Sequence, residues 1–263
     1  MKKINTIKTV SLFAGLFFIS AAQAGDKIDR TTETIIPRIK NTYGIGIAML
    51  PKTSGSDQFR VLPLPIINAN YADLFYINAL TAGVWLFDSD DKRLRFGLAV
   101  QPRFGWDAKD GRLTRGMRDR DFAVEMGPTL RWQTDIGTFN VQWAADISGA
   151  SNGQNVGLQF IRNLYRGKVF MLNGTVGVAR NNSKLNNYYF GVGANETSLT
   201  RTAYSAGAST EFRAGLIGTY LVDNNSNLTF GVTATRLGDA QADSPIVETR
   251  VQPLVFFAYT IAY

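Results

Sequence analysis

Along most of this chain apolar residues alternate one by one with small, polar or charged residues, in runs of roughly ten broken by turn-forming stretches. RLRFGLAVQPRF is typical. Leu94, Phe96, Leu98, Val100, Pro102 and Phe104 fall on one face of a period-two segment, and Arg93, Arg95, Gly97, Ala99, Gln101 and Arg103 on the other. In FAVEMGPTLRW, Phe122, Val124, Met126, Pro128, Leu130 and Trp132 oppose Ala123, Glu125, Gly127, Thr129 and Arg131. In FNVQWAADIS, Phe139, Val141, Trp143, Ala145 and Ile147 oppose Asn140, Gln142, Ala144, Asp146 and Ser148. VFFAYTIAY keeps the alternation going to Tyr263, with Val255, Phe257, Tyr259 and Ile261 on the face expected to meet lipid. Each run predicts a β-strand. In a soluble sandwich the apolar face would form the core, whereas in an outer-membrane barrel it meets lipid and the charged face lines the lumen. Periodicity alone does not separate the two.

The connections do. With strand one at about residues 42–50 and strand two at 60–69, NYAD (70–73), DSDDK (88–92), TDIG (134–137), YRG (165–167) and DNNS (223–226) are short and fall at one end. The stretches 51–59, 105–120, 181–207 and 238–248 are long and fall at the other, with ASNG (150–153) and a tight bend near Thr81 to Gly83. Short periplasmic turns and longer outer loops are what a membrane barrel shows, and a sandwich has no reason to sort its loops. The expectation is an all-β fold, a closed antiparallel transmembrane β-barrel of about twelve strands, both termini periplasmic. It requires LFYINALTAGVWLF (74–87) to split into two short strands; a barrel of about ten with this segment inserted is the fallback.

The start of the chain fixes the compartment. Lys2, Lys3 and Lys8 precede an apolar stretch from Val10 to Ser20, and Ala22 and Ala24 form a small-residue cleavage pattern. Residues 1–24 are expected to be a cleaved signal peptide, 25–41 a periplasmic N-terminal segment and 42–263 the barrel, in the bacterial outer membrane. Beyond the leader no window approaches the roughly 18 apolar residues of a membrane helix.

Composition narrows the chemistry. The chain has 28 Lys and Arg against 21 Asp and Glu, a net +7; three of those lysines sit in the acid-free leader, so the exported part carries +4. That is no nucleic-acid footprint. Cys is absent, so disulfides and thiolate metal sites are excluded, and His is absent, which removes Ser–His nucleophiles and His-ligated metals. No catalytic residue, metal or cofactor is expected. Arg93, Arg95, Arg103, Arg131 and Arg213, opposed by Glu125, Asp146 and Glu211, are the lumen candidates. They either favour anions in a wet pore or form a charge ladder that fills it. In LGDAQADSPIVE, Asp239, Asp243 and Glu248 allow three readings: an oxygen-ligand Ca²⁺ site beside Gly238, a solvated loop turned by Pro245, or a loop folded in against lumen arginines. Trp85, Trp106, Trp132 and Trp143, with Tyr188, Tyr189, Tyr259 and Tyr263, are expected in the interfacial girdles.

Several of these stretches together resemble one family. YYFGV (Tyr188 to Val192), Glu196, AYSAGAST from Ala203, Gly111 with Arg112, and above all RLGDAQADSPIVE, with Asp239, Asp243, Ser244 and Pro245, resemble the MipA/OmpV family of outer-membrane proteins from about Tyr43 onward. The resemblance implies a barrel with no agreed catalytic activity. Its best-described member is a scaffold that brings a lytic transglycosylase and a bifunctional murein synthase together at the inner face of the outer membrane. Other members are adhesins or stress-response proteins. Tyr259, Ile261 and Tyr263 likewise resemble the C-terminal signal that the barrel assembly machinery reads. The expected surroundings are outer-membrane lipid and lipopolysaccharide. The expected role is a non-enzymatic envelope scaffold, with a narrow channel for small polar or anionic solutes, or an adhesin using residues 181–207, as alternatives.

Overall fold

The computed structural model describes residues 41–263; the expected signal peptide and residues 25–40 of the expected N-terminal segment lie outside them. Among the described residues twelve antiparallel strands close into a barrel in chain order. They are β1 (Thr42–Pro51), β2 (Phe59–Tyr71), β3 (Phe75–Asn78), β4 (Thr81–Asp88), β5 (Leu94–Arg103), β6 (Ala123–Thr134), β7 (Gly137–Asp146), β8 (Gln154–Arg166), β9 (Phe170–Asn181), β10 (Ser209–Leu221), β11 (Ser226–Arg236) and β12 (Val251–Ala262). No helix among these residues is long and apolar enough to cross a membrane. Twelve strands is the count expected from loop sorting, and 74–87 does divide in two.

The alternation sets which way each side chain points. On β12, Phe256, Ala258 and Thr260 are buried inside, while Val255, Phe257, Tyr259 and Ile261 are exposed on the outer wall. β12 pairs with β1 from Met49↔Val255 to Thr42↔Ala262, and the Tyr263 N–H donates to the Asn41 carbonyl at 3.0 Å. Hydrocarbon offers no water to a free strand edge, so closure satisfies the backbone of both strands.

Residues 72–74, 89–93, 135–136, 167–169 and 222–225 connect strands at one end, and 52–58, 104–122, 147–153, 182–208 and 237–250 at the other. The short set belongs to the periplasmic side. The bend expected near Thr81 to Gly83 lies earlier, at Ala79 and Leu80. Ala79 takes a left-handed φ of 50° and donates to Ile67 O at 2.8 Å and Asn68 Oδ1 at 3.2 Å. The acceptors are on β2, so the local sequence could not place the turn. It leaves β3 only four residues long.

The interior is packed. Glu125, Asn140, Gln142, Asn155, Gln159 and Asn173 are all buried at the level of the wall, and Ala48, Leu50, Leu62, Leu64, Ile217 and Phe256 form an apolar cluster on one side. A barrel of this size is filled by its own side chains. The aromatic set expected in the girdles divides. Trp132, Trp143, Tyr259 and Tyr263 are exposed on the outside. Trp85 instead points inward and stacks on Tyr76 at 4.7 Å, and Trp106 is fully buried among the outer loops, as Tyr189 nearly is. Trp85 keeps the inward parity of Thr81, level with Gly97 of β5, and the β-bulge that follows it leaves Leu86 and Phe87 both exposed outside.

Candidate functional site

The outer loops do not stand free in solvent. Residues 104–122, 182–208 and 237–250 fold over the barrel mouth and share a core of Trp106, Met117, Leu185, Phe190, Leu237 and Ile246, with further small and aromatic neighbours. Local sequence starts each piece. Asn182 caps helix α1 (Ser183–Phe190) by accepting the Leu185 N–H at 2.9 Å, and the helix then turns Leu185, Tyr189 and Phe190 inward. Gln241 accepts the Gly238 N–H at 2.9 Å across the single turn of α2 (Asp239–Ala242).

A buried ion pair ties two of the loops. Arg120 donates to both Glu196 oxygens at 3.0 Å, and also to the carbonyls of Tyr188 at 2.6 Å and Arg118 at 2.8 Å. Glu196 completes its shell with the N–H groups of Gly193 and Arg118, each at 3.0 Å. Burial pushes the Glu196 carboxyl up, but the Arg120 guanidinium and these N–H groups outweigh it and hold it at about 2. Arg201 donates to Glu196 O at 2.8 Å and Arg115 O at 3.2 Å, fastening the same loops. The guanidinium of Arg120 lies 5.1 Å from the Trp106 ring centre.

The remaining motif residues build the other half of the cap. Arg112 donates to Glu248 Oε1 at 2.8 Å, and Glu248 Oε2 accepts from Ser56 Oγ at 3.1 Å and the Asp57 N–H at 3.0 Å. Burial opposes ionisation of Glu248, and these donors together lower its pKa. A Cβ on Gly111 would lie 2.5 Å from Thr114 Oγ1 and 2.7 Å from Thr53 Oγ1, so only glycine fits there. Asp239 and Asp243 both pair with Arg250, at 2.9 and 2.6 Å. Ser244 Oγ donates to Phe190 O at 2.5 Å beside the partly buried Pro245. LGDAQADSPIVE is therefore folded in, and its acids meet Arg250 and Arg112 rather than lumen arginines. Among the described residues no three acids gather as a metal site would need.

The lumen candidates divide. Arg103 pairs with the fully buried Glu125, which also accepts from Gln101 at 3.1 Å and Asn155 at 3.3 Å. Glu211 accepts from Arg213 at 3.1 Å, Asn181 at 3.1 Å and Gln241 at 3.3 Å, so the barrel wall and the cap meet on one carboxylate. Arg95 pairs with Asp88 at 2.7 Å over the Trp85 ring. Arg131 points into the interior, where its Nε is buried without a partner. Two candidates are not in the lumen. Arg93 sits in the exposed turn 89–93 and pairs with Asp135 at 3.2 Å and Asp91 at 3.7 Å. Asp146, at the outer end of β7, accepts the N–H groups of Ser148, Ser151 and Asn152 and so shapes the turn 147–153. In both cases alternation gave the right parity, and the end of the strand removed the residue from the interior. At the closing seam, Tyr263 and Tyr43 have ring centres 5.5 Å apart.

Sequence alone did not single out Arg120, Arg201 or Asp88. An Arg-rich loop holding a lone Trp was the available signal for Arg120, whose partner Glu196 lies 76 positions along the chain, and nothing local marked Arg201. Between cap and barrel lies a small, partly solvent-open space lined by Leu50, Arg103, Phe104, Tyr189, Glu211 and Gln241 among others.

A family model described as "MltA-interacting protein MipA" matches residues 43–262. Outer membrane protein Omp26La of Vibrio anguillarum is 29% identical over 158 residues, and the match spans 60% of this chain and 60% of that protein. The MltA-interacting protein of Escherichia coli (strain K12) is 24% identical over 212 residues, 80% of this chain and 84% of that one. Among solved structures, a bacterial polysaccharide outer membrane secretin aligns with a TM-score of 0.45 at 10% identity, over 85% of this chain and 98% of its own.

Proposed function

This chain belongs to the MltA-interacting protein MipA family, and from that premise we propose that it serves the outer membrane as a non-enzymatic scaffold, holding a lytic transglycosylase, and with it a murein synthase, at the inner face. The observation that carries the reading is the family match, which runs through all twelve strands and the cap. It is joined by the name of the Escherichia coli relative, an MltA-interacting protein. The packed interior supports it: buried ion pairs and amides occupy the lumen that a channel for polar solutes would need clear. The partner surface in this reading is the periplasmic end, where Lys92 with Asp73 and Arg93 with Asp135 form exposed charge pairs.

Immobilised full-length protein in detergent is expected to bind a purified lytic transglycosylase saturably, and the loaded complex to capture the murein synthase. Charge reversal in the turn 89–93 (Lys92→Glu with Arg93→Glu) weakens the first step about threefold to tenfold, the effect of losing exposed charge complementarity. Binding no greater than that of an unrelated barrel refutes the scaffold.

A further inference from the structure

The barrel wall has a step in it. β2 pairs with β3 only from Asn68 to Tyr71, and β4 pairs with β5 no higher than Ala82↔Val100. Above that level the stretch Phe59 to Ile66 of β2 and the end of β5, Gln101 to Arg103, have no described strand between them. At ordinary strand spacing the two absent strands correspond to roughly 10 Å of wall. The step lies at lipid depth, because across β1 Pro65 and Pro63 are level with Ile45 and Ile47, which are 64% and 52% exposed on the outer face.

An unpaired edge is what hydrocarbon penalises most. Here the edge has lost donors. Ile67 O accepts from Ala79 on β3's side, so the odd-numbered residues of β2 turn their backbone polar groups to the gap, and these include Pro63 and Pro65. Leu94 O accepts from Ser89 on β4's side, so even-numbered residues of β5 face the same gap, and these include Pro102. Three positions on the two edges thus have no N–H to leave unpaired. Behind them, Leu62, Leu64, Ile66, Leu80 and Phe104 belong to one apolar cluster. The wall is closed there by side chains, and opening it breaks no ladder of hydrogen bonds.

Arg60 stands just above, level with Leu50 of β1, on the inward parity of β2. Its Nε and Nη2 are buried and have no hydrogen-bond partner. The Asp110 and Asp107 carboxylates act on this half-buried guanidinium from the cap loop, but the two unused N–H groups still offer donors to an anionic head. Leu50 and Phe104 also line the space beneath the cap, so the apolar cluster behind the step borders that space.

We infer that the gap between β2 and β5 is a lateral portal that admits a single-chain amphiphile with an anionic head from the surrounding leaflet. The head rests on Arg60, and the chain passes between Leu64 and Phe104.

The absence of native cysteine makes the test direct. Leu80→Cys carries a bimane label in full-length protein held in uncharged detergent, Ile47→Cys carries the same label on the lipid face, and the probe is spin-labelled stearic acid. Saturable quenching is expected at position 80 and only linear quenching at 47. Arg60→Gln weakens the saturable phase about tenfold or more, the scale of a lost charged hydrogen bond, and Arg60→Lys restores most of it. Should Arg60→Gln fail to give a heat-modifiable barrel, Leu64→Trp, which fills the portal and leaves the charge, must reduce the saturable phase. Competition by palmitate alone assigns free fatty acids, and competition by lysophosphatidylglycerol as well assigns the anionic head in general. Linear quenching at both positions, equal binding of the stearate methyl ester, equal competition by lysophosphatidylcholine, or indifference to both Arg60→Gln and Leu64→Trp overturns the portal.

Discussion

Arg120 carries a charge with 1% of its side chain exposed, which is tolerable only because Glu196 meets it with two hydrogen bonds. Replacing Glu196 by Gln keeps the shape and removes the counter-charge, and is expected to cost the cap about 3–5 kcal/mol, as breaking a buried pair does. Hydrogen exchange over residues 183–206 measures it. The same pair sets a pH dependence. Glu196 is held at about 2, below its ordinary 4.5, so its contribution is present in full above pH 4.5 and lost as pH falls toward 2. Exchange over residues 183–206 should therefore accelerate through that window in the native protein and much less in Glu196→Gln, where only the Glu248 half of the cap still titrates. Neither residue's partner could be read from the sequence: Glu196 was legible as part of a motif, but 76 positions separate it from Arg120.

β12 was legible almost whole. Its alternation gave the faces, and parity gave its closing role, since an even number of strands brings the last beside the first. What the sequence does not contain is the register, fixed by β1 from Met49↔Val255 to Thr42↔Ala262. Tyr263 holds the periplasmic end of that seam through its N–H and its ring. Tyr263→Ala, and more strongly its deletion, should lower the heat-modifiable fraction in outer membranes while export to the periplasm continues; unchanged assembly would remove Tyr259, Ile261 and Tyr263 as an insertion signal. β3 is the opposite case. Its four residues are too few for periodicity to show, and the turn that ends it is set by acceptors on β2.

For the whole molecule the filled lumen has a measurable consequence. Reconstituted into planar bilayers, the native protein is expected to show no ohmic steps, because Arg103 with Glu125 on the β5–β6 wall and Glu211 with Arg213 on β10 add to an interior already packed with buried side chains beneath a folded cap. Steps whose ion selectivity changes in Arg95→Glu would restore the channel reading. Arg103→Ala is the variant most able to open a path, at the cost of leaving Glu125 buried and unpaired.

Period-two alternation and sorted loop lengths determined the barrel and the faces of its long strands, and left the count between twelve and ten, because lipid outside and a closed sheet constrain every second residue in the same way. They could not determine what the loops do. LGDAQADSPIVE has the composition of a solvated loop, yet its acids are spent on Arg250 and Arg112, and Ile246 lies in a core with Trp106. Only the tertiary structure decided that the mouth is capped, that Arg93 and Asp146 lie outside the lumen, and that the wall steps down between β2 and β5. The cap and the step depend on contacts between segments far apart in the chain, where neither propensity nor periodicity carries information, and Arg93 and Asp146 depend on where β5 begins and β7 ends.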